Sequence, residues 1–317
     1  MNVKSFLKLV ELPTKVASMI PFTLGTLYAL YRFDHFEVLN FALMLISLLS
    51  FDMATTAINN YYDFKKASKT SGYGYETHNP IVHFKLKEFT VVATIFTLLL
   101  LAVGGGIALV SQTGILVFLL GGLSFLIGIL YSFGPIPISR MPLGELFSGL
   151  FMGFVIIFIS AYIHSGDSVI YLQFQGGWAT LGIHWPELLY MFWFSVPAIL
   201  GIAGIMLANN ICDIDDDLEN RRYTLPVYIG RQNALLLFSL LYYCSYADLI
   251  VLLILGIHPL LVLALLLTLI PLRRNIAAFR IKQEKASTFI LSVKNFVLLS
   301  TARIAVLALA IVLDALL

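Results

Sequence analysis

Five acids fall within seven residues of this chain: Asp213, Asp215, Asp216, Asp217 and Glu219, in the run Asn209–Arg231. The run follows a long apolar stretch, Leu188–Leu207, and within it Arg221 and Arg222 come just after the acids. On a helix, Asn209, Asp213 and Asp217 are spaced i, i+4, i+8 and share one face. Oxygen ligands converging on one spot suit a hard divalent cation such as Mg²⁺. A solvated acidic loop capping a helix is the competing reading. A second occurrence of the pattern decides against it. Asn59 and Asp63, in N-N-Y-Y-D-F-K-K, repeat the spacing of Asn209 and Asp213, also at the end of an apolar run and also ahead of paired basic residues. Two such ends facing each other would gather carboxylates and amides under a rim of lysine and arginine. Metal bound by the acids would take phosphate oxygens, and basic side chains the remaining charge. A diphosphate with Mg²⁺ is the occupant this chemistry suits, with an apolar cavity beneath for a hydrophobic tail.

The elements that must position these residues are membrane helices. The chain has 317 residues, 59% hydrophobic and 12% charged, with a mean hydropathy of +0.91. That charged share is about half that of soluble domains. Runs long enough to span, or nearly so, lie at about 16–31, 38–58, 89–110, 115–133, 143–163, 188–207, 234–255, 259–272 and 289–313. A span takes roughly 20 apolar residues, so the eighth is short and reads as tilted or re-entrant. The expected fold is an all-α integral membrane protein, a bundle of nine transmembrane helices around a central cavity, with 1–317 as a single domain. Nine spans put 18 of the 20 basic residues on one side, which should be the cytoplasmic one and hold the amino terminus. The formal charge of +2 argues against nucleic acid as a partner. Cys212 and Cys244 make no disulfide framework, and the six histidines lack zinc-ligand spacing. The first apolar run reads as a retained helix, not a signal peptide. The polar, Gly-rich stretch 165–186, with Trp178 and Trp185, reads as an external interfacial loop. Glycines within the spans read as close helix packing.

These motifs resemble the UbiA superfamily of intramembrane prenyltransferases. That family carries N-x-x-x-D on one helix and D-x-x-x-D on another; Asn59–Asp63 and Asp213–Asp217 match in identity, spacing and order. The tail Thr224–Gly230, T-L-P-V-Y-I-G, looks like the segment after the second motif, and the nine-span count agrees. Leu130–Glu145, L-Y-S-F-G-P-I-P-I-S-R-M-P-L-G-E, resembles the branch acting on 1,4-dihydroxy-2-naphthoate, in the menaquinone pathway, as does the N-N-x-x-D form of the second motif. The chain departs from relatives at Asn60, Cys212 and Arg221, where Asp, Arg and Gly are common, and the first motif is poor in acids.

The resemblance implies Mg²⁺ on Asn59, Asp63, Asp213 and Asp217, and contacts to substrate from Lys66, Arg140, Asn209, Asn210 and Arg222. The substrates it implies are a polyprenyl diphosphate and an aromatic acceptor, met at the lipid bilayer. Ionisation of the allylic diphosphate, attack by the naphthoate ring and loss of carbon dioxide would give demethylmenaquinol or its quinone. A lateral opening should admit the tail from lipid, with Ser71–Tyr75 near its mouth. Tyr131 could face the allyl cation. Asp52, within the second span, is either an acceptor-binding acid or base or an internal acid joining helices. Asp248 and Arg303 could pair. Within the superfamily, 4-hydroxybenzoate or haem is the alternative acceptor. Outside it, a secondary transporter is the rival, opposed by motifs at helix ends instead of the bilayer midplane.

Overall fold

Long helices fill the computed structural model, which describes residues 1–66, 79–132 and 137–316. We label them α1 (Val16–Phe33), α2 (Val38–Lys66), α3 (Glu88–Thr113), α4 (Ile115–Ser132), α5 (Gly144–Ser168), α6 (Trp185–Cys212), α7 (Leu225–Ile254), α8 (Pro259–Ile281) and α9 (Ile290–Leu316). Among the described residues, eight are long and apolar enough to cross a membrane. The remaining one, α1, is 18 residues long and starts directly after Lys15. The eighth candidate is not short: α8 runs 23 residues, past Arg273, Arg274 and Arg280. That is roughly 34 Å of helix at 1.5 Å per residue, enough to span. Many large apolar side chains point outward, among them Phe89 at 83%, Phe96 at 62% and Ile107 at 65% exposure on α3. Outward apolar surface on this scale fits lipid as the solvent.

The chain divides into two compact units. One comprises Met1–Met19 and Ala42–Ile129. Its core joins Leu9 of the short helix Val3–Leu9 to Ala57 of α2, Ile81, and Val91 and Ile95 of α3. Ser47 donates to the Ala102 carbonyl at 2.8 Å, tying α2 to α3. Phe51 of α2 stacks on Phe125 of α4 at 4.0 Å.

The other comprises Ile20–Phe41 and Leu130–Leu317, and α6 is its centre. A Cβ added at Gly149 or Gly153 of α5 would stand 2.7 or 2.6 Å from Ile199 of α6, so only glycine permits that approach. In its turn, Gly201 of α6 accommodates Phe296 of α9, and Gly204 accommodates Tyr242 of α7. Leu207, Ala208 and Ile211 of α6 pack with Phe238 and Tyr242 of α7, Leu272, Ile276 and Phe279 of α8, and Leu299 of α9. Thus the helix that carries the acidic motif is held on several sides. The close-packing expectation fails at Gly104, Gly121 and Gly122, where an added Cβ would meet nothing within 4 Å.

The stretch after α5 forms a β-hairpin, β1 (Ile170–Gln175) and β2 (Trp178–Ile183), paired antiparallel. Gly176 and Gly177 turn it at φ +57° and +85°, the conformation of a two-residue hairpin turn. This is the one departure, among the described residues, from the all-α expectation.

Candidate active site

The second motif sits at a break in the helix. α6 ends at Cys212, and Ile214–Glu219 forms a separate short helix. The break does not undo the expected spacing. The Asp213 amide still donates to Asn209 at 3.1 Å, and the Asp217 amide to Asp213 at 2.7 Å. Asp217 is the buried member at 4% exposure. Thr224, itself 1% exposed, donates to its Oδ2 at 3.0 Å. Burial raises the Asp217 pKa and the neighbouring Asp213 charge adds to this, while the Thr224 hydroxyl and the Arg222 guanidinium oppose it. Arg222 stands 3.9 Å from Asp217 Oδ1. Asp215 points the other way, 86% exposed and paired with Arg231 at 3.0 Å. Asp213 keeps an 18% exposed side chain whose Oδ2 is held by Lys285.

The turn that returns the chain to Asp217 is a Schellman motif. The Arg222 amide donates to the Asp217 carbonyl at 2.8 Å and the Arg221 amide to Leu218 at 3.3 Å. Arg221 therefore takes φ +53°, a left-handed conformation that costs a residue with a Cβ about 1–2 kcal/mol. Arg221→Gly is expected to stabilise the protein by about 0.5–1 kcal/mol, after the greater entropy of the unfolded glycine is subtracted. A thermal midpoint at or below the wild type's would contradict this.

Asn210 does not join the acids. It is 3% exposed, and its amide donates to Glu145 Oε1 of α5 at 2.9 Å. Glu145 Oε2 and the Tyr131 hydroxyl are buried beside it with no hydrogen-bond partner. The Tyr131 hydroxyl thus lies against the start of α5, beside Gly144 and Glu145. Arg140 is exposed, in the short turn Ile138–Arg140.

The first motif lies in the last two turns of α2. Asn59 and Asp63 are exposed, whereas Asn60 is buried. Asn60 donates to the Leu9 carbonyl at 3.0 Å and to Glu11 at 3.3 Å, and its own carbonyl accepts from Asn79 at 2.9 Å. Asn60 is therefore a structural anchor. Lys65 pairs with Glu88 at 2.6 Å. The Lys66 side chain, Ser71–Tyr75 and Pro135 lie outside the described residues.

Asp52 is an internal acid that joins elements. Lys15, 3% exposed, contacts its Oδ1 at 2.5 Å, and Ser18 donates to Oδ2 at 2.5 Å. Lys15 also reaches the Asp52 carbonyl and Thr56. If the pair is structural, Lys15→Met should destabilise as much as Asp52→Asn, by about 3 kcal/mol, because each leaves a largely desolvated partner unsatisfied. A stable Asp52→Asn protein that has lost turnover would restore the acid or base reading.

The donor set of the second motif fits a hard divalent cation. It offers two carboxylates and one amide on neighbouring turns, one acid buried and one accessible. Among the described residues no three His, Cys, Asp or Glu side chains form a closed cage. Mg²⁺ does not require one, because it keeps waters and takes substrate phosphates alongside one or two carboxylates.

An acid-tipped set of membrane helices of this kind defines a class, and comparison with known proteins supplies it. The UbiA prenyltransferase family model matches residues 18–299, and the chain belongs to that family. It is 31% identical over 246 residues to the 1,4-dihydroxy-2-naphthoate octaprenyltransferase of Bacillus subtilis (strain 168), covering 77% of this chain and 71% of that one. UbiA prenyltransferase domain-containing protein 1 of Xenopus tropicalis is 26% identical over 236 residues, covering 73% of this chain but only 61% of its relative. In fold, the chain is similar to a UbiA homolog from Archaeoglobus fulgidus bound to GPP and Mg²⁺, with TM-score 0.65, 16% identity and coverage of 97% and 99%. It is also similar to a UbiA homolog from Aeropyrum pernix K1, with TM-score 0.62, 19% identity and coverage of 94% and 98%.

Proposed function

We propose that this protein transfers a polyprenyl group from a polyprenyl diphosphate to 1,4-dihydroxy-2-naphthoate. The observation that carries the reading is the 31% identity to the Bacillus subtilis enzyme over most of both chains. The C1–oxygen bond of the donor breaks and diphosphate leaves. The electron-rich ring attacks C1 through its carboxylated carbon, and carbon dioxide departs from that carbon. The product is demethylmenaquinol, the reduced form of demethylmenaquinone. Asp63, Asp213 and Asp217 would hold Mg²⁺, with Asn59 as an amide ligand and Asn209 beside the substrate. Bound Mg²⁺ supplies neutralisation of the leaving diphosphate. Lys66, Arg140 and Arg222 take the remaining phosphate charge. Tyr131 turns its ring to the developing allyl cation. A neighbour of the same fold bound to GPP and Mg²⁺ supports this assignment of the metal. The basic flank, with the amino terminus, faces the cytoplasm of a multi-pass membrane protein.

The test is an acceptor panel with one labelled polyprenyl diphosphate and the purified protein. Magnesium-dependent release of diphosphate with prenylation of 1,4-dihydroxy-2-naphthoate is expected. Preference for 4-hydroxybenzoate or haem would overturn the acceptor. Absence of diphosphate release with every acceptor would overturn the transferase reading.

A further inference from the structure

Lys285 holds Asp213 Oδ2 although it lies 72 residues further along the chain. Its side chain is 57% exposed, so burial does not hold it there. The backbone does. Residues between α8 and α9 fold around Glu284, whose carbonyl accepts from the amides of Thr288 at 2.9 Å and Phe289 at 3.0 Å. The Glu284 amide donates to Thr288 Oγ1 at 2.8 Å, and the Glu284 carboxylate takes Ser287 at 2.8 Å and Lys282 at 2.8 Å. Lys285 therefore projects from a locally closed turn onto the accessible acid of the motif. Its neighbour Lys282 is already engaged by Glu284.

We infer that Lys285 is a place-holder on the metal ligand Asp213, released when a divalent cation binds. The inference rests on the proposed role of Asp213. An ammonium on Asp213 Oδ2 repels a divalent cation arriving at the same carboxylate, so cation binding favours its departure. An exposed ion pair is weak enough to be displaced. In place, it adds to Arg222 in offsetting the charges of Asp213 and Asp217. Once freed, it remains at the mouth of the site as a mobile positive charge, the chemistry a diphosphate requires.

The test uses the full chain purified in detergent, with Mn²⁺ alone as the spin probe and free Mn²⁺ read by electron paramagnetic resonance. Lys285→Ala should bind Mn²⁺ roughly two- to five-fold more tightly than wild type, the range an exposed pair spans. Lys285→Arg, which keeps the charge, should stay near wild type. Lys282→Ala removes an equal charge from the same turn and should shift affinity by less than half as much. Asp213→Asn should weaken binding at least ten-fold. Unchanged or weaker binding by Lys285→Ala beside a weakened Asp213→Asn would overturn the place-holder alone. An equal gain in Lys282→Ala would also overturn it, because the effect would then be bulk charge. Unchanged binding by Asp213→Asn would overturn the assignment of Asp213 as a ligand, and the place-holder with it.

Discussion

Asp213→Ala and Asp217→Ala are each expected to lower kcat/KM by about 1,000-fold or more, while Asp215→Ala stays within about three-fold of wild type. The metal's neutralisation of the leaving group is worth several kcal/mol, and each 1.36 kcal/mol is a factor of ten in rate. The structure separates these acids although they lie in one short run. Asp217 is buried and braced by Thr224, and Asp213 is partly exposed and follows Asn209 by one helical turn. Asp215 faces out and holds only Arg231. Release of labelled diphosphate and formation of prenylated acceptor would measure all three. Equal loss from all three variants would mean that the whole acidic run acts as a diffuse charge, and the ligand assignment would fail. Thr224→Val belongs with this series, since it removes a hydrogen bond from Asp217 while keeping the shape.

Removing Arg303 should have the largest effect on stability. Its guanidinium holds Asp248 through two hydrogen bonds, Nε at 2.6 Å and Nη2 at 2.7 Å. It also donates to the Leu299 and Ser245 carbonyls at 3.0 and 2.9 Å and stands 5.6 Å from the Tyr246 ring. The two side chains are 1% and 0% exposed. Arg303→Met alone leaves the buried Asp248 carboxylate without its guanidinium, and should cost about 3–5 kcal/mol. The double variant Asp248→Leu with Arg303→Met removes both charges together and should recover most of that loss. Thermal unfolding in one detergent, with all variants compared side by side, gives the answer. Additive losses in the double variant would show that the two residues do not act as a pair.

The sequence alone determined the membrane class, because a chain so rich in apolar runs has few other ways to satisfy its backbone. It also showed which acids follow one another by a helical turn, because i, i+4 spacing is a local property that survived even the helix break at Asp213. The pairing of Asp248 with Arg303 was legible for a related reason: two opposite charges inside apolar spans have few alternatives to each other. The hairpin was legible in principle. Gly176-Gly177 follows the alternating run Leu172-Gln173-Phe174-Gln175, but the tryptophans and glycines also suited an interfacial loop.

What only the tertiary structure decided are the partners that are distant in sequence. Spacing could not reveal that Lys15 meets Asp52, that Asn60 anchors the amino-terminal segment, or that Asn210 turns to Glu145. Nor could it reveal that Lys285 reaches Asp213. Each of these depends on which helices are neighbours, and that is set by close approaches such as Gly149 and Gly153 against Ile199. Periodicity specifies which face of a helix is apolar, but in lipid nearly every face is. The choice of neighbour then falls to small residues and buried polar pairs, whose partners are fixed only when the chain has packed.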